Sequence, residues 1–273
     1  MPMDPFQARV AQVALQAAAG PKFALAGGNA LIAHGLLTRP TQDVDLFTPE
    51  AGGAAVVLDA VRAALVDDGF TVDVTREPTG HTGDFARLQV SRDGTTTQVD
   101  LGRDWRAQEA VTLDIGPVLH LDDAVASKVT ALLGRALARD FIDVAAALDR
   151  YSRPRLLQLA FERDPGLRVL DVALAADRLD RLSDGQFLRY ALSPDQVLSM
   201  RARYTDWPRD NIIDQIAQDA YDRARGADQT PVQRANAAYP VPLTQALQHP
   251  APPPAHPTAR APRLGDPPPG RRM

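Results

Sequence analysis

The chain has 273 residues, of which 45% are hydrophobic, enough to bury the core of one large or two modest domains. It contains no cysteine and five scattered histidines, which excludes disulfides and thiolate metal sites and argues against zinc. A formal net charge of −4 argues against a surface coated with basic residues for bulk nucleic-acid binding. Without a membrane-length apolar run or a secretory signal pattern, the sequence predicts a cytoplasmic protein with no membrane partner.

The first part of the chain alternates between helical and strand periodicity. Helical spacing of apolar residues predicts helices over 5–19, 29–37 and 53–68. Short apolar or alternating runs predict strands over 22–26, 44–47, 71–75, 85–91 and 96–101, with Asp93-Gly94 as the turn between the last two. This order predicts a mixed α/β (α+β) domain over residues 1–118.

The second part of the chain is helical in pattern. Helices are predicted over 122–137, 140–151, 153–163, 166–181 and 210–226, which gives a helical domain over residues 119–227. Residues 228–273 are rich in proline and cannot bury enough apolar surface to offset the entropy of ordering, so a disordered tail is predicted there.

A glycine pair stands between the second predicted helix and the strand before it. Gly27 and Gly28 let backbone amides approach an anion closely, and the N-terminus of a helix adds a dipole that favours a phosphate. Asn29 follows them and can donate a hydrogen bond to phosphate. This stretch therefore predicts a phosphate-binding turn.

Two aspartates lie on one face of the strand that follows. Asp43 and Asp45 are two positions apart, so their side chains point the same way and repel each other unless a cation lies between them. Mg²⁺ is the natural ion for such a site, because it prefers carboxylate and phosphate oxygens. Asp100, on a later strand, would add a third ligand and complete a two-metal site for in-line phosphoryl chemistry.

In order and spacing, these motifs resemble the polymerase-β-like nucleotidyltransferases, and among them the AbiEii/AbiGii-type toxins. The resemblance spans roughly residues 22–148. It covers the glycine motif, the Asp-x-Asp strand with Arg39 and Thr41 before it, Asp100 as third acid, and a later helical pattern. That later pattern is carried by Lys128, Arg135, Arg139, Asp140 and Asp143.

The resemblance implies roles for the basic residues and for one further acid. Lys128 would cradle the triphosphate, with Arg135 and Arg139 as further binding residues. Arg135 and Arg139 are four positions apart, as are Arg139 and Asp143, so the spacing allows either a basic-acidic helical face or an ordinary surface ladder of charges. Arg39 would neutralise phosphate charge or simply occupy a loop beside Pro40. Asp140 would orient Lys128 or a base, or it would cap the helix that begins there.

The function implied by the resemblance is transfer of a nucleoside monophosphate from a nucleoside triphosphate, with Mg²⁺, by the toxin of a toxin-antitoxin or abortive-infection pair. Transfer RNA is the implied acceptor, and a cognate antitoxin is the implied protein partner. Two alternatives stay open. One is a small molecule or a protein as the acceptor, and the other is a non-catalytic binding protein, favoured by Asn29 because the superfamily usually has serine or threonine there.

Overall fold

The computed structural model describes residues 3–78 and 83–208, so the predicted helix over 210–226 and the predicted tail over 228–273 lie outside the described residues. Seven strands form one mixed sheet in the order β3-β4-β5-β2-β1-β7-β6. The strands are β1 Ala24–Leu25, β2 Asp43–Thr48, β3 Thr71–Arg76, β4 Phe85–Arg92, β5 Thr95–Arg103, β6 Val111–Leu113 and β7 Gly116–Val118. The helices of the sheet region are α1 Pro5–Ala17, α2 Gly27–Ala33 and α3 Gly53–Asp67.

The centre of the sheet is the parallel pair β2 and β5. Along β2, Val44 and Leu46 are fully buried, while Asp43 and Asp45 lie on the opposite, partly exposed face. The register places Asp45 directly opposite Asp100 on β5. Strand β4 then pairs with β5 in antiparallel orientation and places Arg87 opposite the same Asp100. The alternation that buries one face of β2 thus exposes its carboxylates on the other.

After β7, all elements in the described part of the chain are helices. They are α4 Leu121–Arg135, α5 Ala138–Ala147, α6 Arg153–Arg163, α7 Val169–Arg181, α8 Gly185–Leu188 and α9 Pro194–Ala202. Helix α4 packs against α2, α5, α6 and α7. The contact between α4 and α2 brings the helical region beside the glycine turn, and one hydrophobic cluster runs through both regions.

The mixed α/β architecture predicted from the sequence is confirmed, whereas the division into domains at residue 118 stays a prediction. The sequence patterns did not indicate β6 and β7, which have three residues each and include Pro117. Helices α8 and α9 were also not predicted. Strand β1 is shorter than predicted at both ends, and Lys22, where the predicted strand begins, takes a left-handed conformation with φ 51°. No helix within residues 3–78 and 83–208 is long and apolar enough to span a membrane.

Candidate active site

A cleft of about 330 Å³ opens between the sheet and the helical region. Strands β2, β4 and β5 form one side, called the strand wall, and helices α4 and α5 form the other, called the helix wall. Ten of the twelve residues predicted for the site line this cleft: Gly27, Gly28, Arg39, Thr41, Asp43, Asp45, Asp100, Lys128, Arg135 and Arg139. The other two, Asn29 and Asp140, are buried behind it.

The strand wall carries a row of charged residues across three neighbouring strands. Asp45, Asp100 and Arg87 are directly opposite one another on β2, β5 and β4. Arg87 donates two parallel hydrogen bonds to the Asp100 carboxylate, Nε to Oδ1 at 2.7 Å and Nη2 to Oδ2 at 2.8 Å. Such a bidentate fork is among the stronger charge-assisted contacts in proteins. Sequence reasoning missed Arg87, because only the register of β4 against β5 reveals it.

Asp43 and Asp45 have no ion pair within the described residues. Burial raises the pKa of Asp45 to about 6, and the charges of Asp100 and Asp43 add to this effect against the opposing charge of Lys128. Burial and the charge of Asp100 also raise the pKa of Asp43. A divalent cation would relieve both the desolvation and the repulsion. Two adjacent carboxylates without counter-ions are therefore a donor set that fits a hard ion such as Mg²⁺.

The third predicted ligand is engaged elsewhere. Among the residues that the structure describes, no three acidic or histidine side chains form a group that could hold a metal. Both oxygens of Asp100 accept from Arg87 instead. Asp100 therefore lies beside the two free carboxylates while it is neutralised by an arginine, and its role as a third ligand stays a prediction.

The glycine pair is required by the close approach of the side chains around it. Gly27 has φ +59°, and a Cβ there would lie 1.8 Å from Oδ2 of Asp45. A Cβ on Gly28 would lie 2.5 Å from the methyl carbon of Thr41. Both side chains press directly against the backbone where α2 begins, so each glycine fixes the position of a residue in the cleft.

Asn29 belongs to a buried polar network beneath the cleft. Its amide nitrogen donates to the main-chain oxygen of Asp43 at 2.9 Å and to Gln7 at 3.3 Å, and its oxygen accepts from the Thr41 hydroxyl at 2.7 Å. Gln7 in turn donates to the main-chain oxygen of Thr41 at 3.1 Å. The Asn29 side chain thus holds β2 and Thr41 in place from behind, where we had expected it to face a phosphate. Nothing in the periodicity of α1 distinguishes Gln7 as part of this site.

The helix wall is organised by Asp143. Its carboxylate, which is 0% exposed, accepts from Nε of Arg39 at 2.6 Å and from Nη2 at 2.8 Å. The ammonium of Lys128 lies 3.0 Å from the same carboxylate. The guanidinium of Arg39 also lies 5.4 Å from the centre of the Tyr190 ring, which lines the cleft. Asp143 therefore orients Lys128, a role that the sequence analysis had offered to Asp140.

Asp140 has a structural position three residues into the N-terminal turn of α5. It accepts from the main-chain N–H of Leu137 at 3.1 Å, as a residue that satisfies an unpaired donor at a helix start does. It also receives a bidentate contact from Arg135 at 3.0 and 2.9 Å. The capping alternative is thus the one that the geometry matches, with Asp140 at the third helical position.

Arg139 lines the cleft and has no carboxylate partner among the described residues. Its Nε atom is buried and finds no hydrogen-bond partner in that part of the chain. Its charge lowers the pKa values of both Asp43 and Asp45, although burial outweighs this effect. The pairing with Asp143 that their spacing along the helix allows does not form, because Asp143 is occupied by Arg39 and Lys128.

Comparison with solved structures concerns the fold of the chain. MenT4, a nucleotidyltransferase toxin from Mycobacterium tuberculosis H37Rv, has a similar fold with a TM-score of 0.53 and 20% identity, over 72% of this chain and 80% of that one. Two proteins from Helicobacter pylori also match. JHP933 has a TM-score of 0.48 and 16% identity over 73% of this chain and 90% of its own. A putative nucleotidyltransferase has a TM-score of 0.49 and 14% identity, over 72% of this chain and 91% of its own.

The search among curated proteins finds no match. A family model described as the nucleotidyl transferase AbiEii toxin of a type IV toxin-antitoxin system matches residues 11–228, which is most of the chain. This confirms the resemblance seen in the glycine, Asp-x-Asp and lysine motifs. The chain belongs to the AbiEii family of nucleotidyltransferase toxins.

Proposed function

We propose that this protein, with Mg²⁺, transfers a nucleoside monophosphate from a nucleoside triphosphate to transfer RNA and releases pyrophosphate. The observation that carries the proposal is the pairing of opposite walls in one cleft. Asp43 and Asp45, both without a counter-ion, face a helix wall with the cationic groups of Lys128, Arg135 and Arg139. Phosphoryl transfer requires carboxylates that bind a metal cation and cationic side chains that bind the polyphosphate.

The residues of the strand wall would hold the metal side of the substrate. Asp43 and Asp45 would bind Mg²⁺, with Asp100 as the third ligand, and the bound ion would supply charge neutralisation at the phosphoryl oxygens. Gly27 and Gly28 let Asp45 and Thr41 approach the backbone at the start of α2, so a phosphate bound by the backbone amides there would lie close to the metal-binding carboxylates.

The residues of the helix wall would bind and orient the triphosphate. Lys128, held by Asp143 at 3.0 Å, has a fixed ammonium to present to phosphate oxygens. Arg139 lines the cleft, with a buried Nε that has no partner among the described residues, and Arg135 is anchored by Asp140 with its side chain 47% exposed at the rim. Positioning and electrostatic stabilisation are the main contributions that a protein makes to this chemistry.

Support for RNA as the acceptor comes from the basic character of that rim. Exposed arginine beside Lys128 suits a polyanion that lies across the cleft, whereas a small acceptor would favour an enclosed pocket. Membership of a toxin-antitoxin family supports growth inhibition as the biological outcome and a cognate antitoxin as the partner.

The test is incubation of the purified protein with MgCl₂, total transfer RNA and each of the four nucleoside triphosphates, labelled in turn at the α-phosphate. We expect label in RNA from at least one nucleotide, and a loss of at least about a hundredfold in Asp45→Asn. Asp73→Asn is the matched control, because Asp73 is an exposed aspartate on β3 of the same sheet and away from the cleft.

Two results would change the proposal. Pyrophosphate release with labelled small molecules or protein, and no label in RNA, would replace the acceptor. Nucleotide binding without turnover under any of these conditions would identify a non-catalytic binding protein.

A further inference from the structure

Asp100 lies between a cation and an anion on the same face of the sheet. Its partner across β4 is Arg87, and its partner across β2 is Asp45. Side chains directly opposite on neighbouring strands have Cβ atoms about 5 Å apart, so Asp100 is within reach of both neighbours. In this structure its carboxylate is turned to Arg87, with contacts of 2.7 and 2.8 Å.

The contact with Arg87 is incompatible with full participation of Asp100 in a metal site. Both carboxylate oxygens accept from the guanidinium, and within residues 3–78 and 83–208 no three acidic or histidine side chains form a group arranged to hold a metal. A divalent cation shared with Asp45 would have to displace at least one of these hydrogen bonds, because an arginine fork and a hard cation use the same oxygen lone pairs.

The exposure of Arg87 allows its guanidinium to move away from Asp100. The side chain of Arg87 is 39% exposed, and that of Asp100 is 10% exposed. The ring of Phe85 lies 5.4 Å from the guanidinium carbon, on the same face of β4 and two residues away, so it offers a surface to the released side chain. An incoming cation would replace the guanidinium as the counter-charge, so the buried Asp100 is not left uncompensated when the pair opens.

We propose that Arg87 is a built-in counter-ion that competes with the divalent metal for Asp100, so that metal binding and the Arg87–Asp100 fork exclude each other. This inference rests on the proposed function, since it assigns a metal to Asp43, Asp45 and Asp100. The fork keeps three clustered carboxylates from being left without positive charge when no metal is bound. Metal entry then releases a guanidinium into the cleft, where Arg87 already forms part of the lining.

The test measures Mn²⁺ binding to the full-length protein without nucleotide, by the electron paramagnetic resonance signal of free Mn²⁺. Arg87→Met removes the competitor and is expected to tighten Mn²⁺ binding on the order of tenfold. Arg139→Met is the matched control, because Arg139 also acts on Asp43 and Asp45 through its charge but makes no contact with Asp100. We expect it to change the affinity by less than about threefold.

A double-mutant cycle separates competition from general charge effects. In an Asp100→Asn background, Mn²⁺ binding is expected to weaken and the effect of Arg87→Met to disappear. Equal tightening by Arg87→Met and Arg139→Met, or none by either, would overturn the proposal. Arg87→Gln carries the same expectation if Arg87→Met does not fold.

Failure of this inference is distinguishable from failure of the proposed function. If the wild-type protein labels RNA and binds Mn²⁺ but Arg87→Met binds no more tightly, only the competition is refuted. If the wild-type protein binds no Mn²⁺ at millimolar concentration, the metal-dependent function is refuted together with it.

Discussion

The two walls of the cleft each contain an arginine fork on an aspartate, and the two forks differ in burial. On the helix wall, the side chains of Arg39 and Asp143 are 6% and 0% exposed, and Lys128 shares the carboxylate. On the strand wall, Arg87 and Asp100 are 39% and 10% exposed. The same chemical pair therefore serves as a fixed support on one wall and as an exchangeable contact on the other.

The carboxylates of the strand wall and of the helical region also differ in the direction of their pKa shifts. Those on β2 have raised pKa values, because burial is not compensated by a partner. Asp122 on α4 has a lowered pKa, because hydrogen bonds from Tyr151 and Arg155 together outweigh the effect of its burial. Asp122 is thus compensated by protein partners, whereas the carboxylates of β2 would gain such a partner from a bound cation.

The largest effect is expected from breaking the fixed fork. Asp143→Asn removes the counter-charge of the buried Arg39 and of Lys128, and we expect a loss of about 3–5 kcal/mol in the free energy of unfolding. Urea denaturation measures it. The control is Asp149→Asn, because Asp149 is 62% exposed in its pair with Arg203 and should cost less than about 1 kcal/mol. Similar losses in both variants would contradict the contrast in burial.

The strand wall should respond in the opposite direction. Asp45→Asn removes a carboxylate whose pKa is raised to about 6, first by burial and then by its acidic neighbours. In EDTA at pH 7.5, we expect the variant to be more stable than the wild type by about 1–2 kcal/mol. With Mg²⁺ present, we expect the same variant to lose nucleotide transfer. Urea titrations of both proteins in EDTA test the difference in stability, and a destabilised Asp45→Asn would show that the wall is not under electrostatic strain.

Opening the exchangeable fork without a metal should cost less than breaking the fixed one. Arg87→Met keeps an apolar stem over Phe85, but it leaves the buried Asp100 without a counter-charge beside Asp45, so we expect a loss of about 1–2 kcal/mol. Thermal and urea unfolding in EDTA measure this change. A loss comparable to that of Asp143→Asn would mean that both forks are structural supports.

The smallest expected effect concerns the pH dependence of stability that arises from Asp122, in the first turn of α4. Because the pKa of Asp122 is lowered in the folded state, its contribution is present above the ordinary unfolded value of about 4 and is lost as the pH falls through the lower folded value. Asp122→Asn should therefore be less stable than the wild type by less than about 1 kcal/mol at pH 7, and the difference should shrink below about pH 4. Unfolding curves between pH 3 and 7 measure it, and a constant difference would contradict it.

Local patterns in the sequence predicted part of this architecture. The alternation along β2 is enough to place Asp43 and Asp45 on one face. The strand-glycine-helix order predicted α2, although the helix begins at Gly27 and not at Asn29. The hairpin of β6 and β7 was not predicted, because strands of three residues, one of them with Pro117, show no alternation of apolar and polar residues. Periodicity works where an element is long enough to repeat its pattern against a core.

The partners within the site depend on register and helix crossing, which no local pattern contains. Arg87 reaches Asp100 because β4 pairs with β5 in one particular register. Asp140 and Asp143 are three positions apart on α5, and only the packing of α5 against α4 decides which of them faces Lys128. The sequence therefore predicted which residues form the cleft better than it predicted which contacts they make.

The fixed fork also has a consequence for how the protein is made. Arg39 and Asp143 are separated by 104 positions, so the fork closes only after translation has passed α5. Chains released before that point contain Asp43, Asp45 and the glycine turn but no counter-charge for Arg39 and no anchored Lys128. A chain that ends before α5 therefore carries the strand wall of the cleft without the anchored lysine of the helix wall, and we expect it to be inactive in nucleotide transfer.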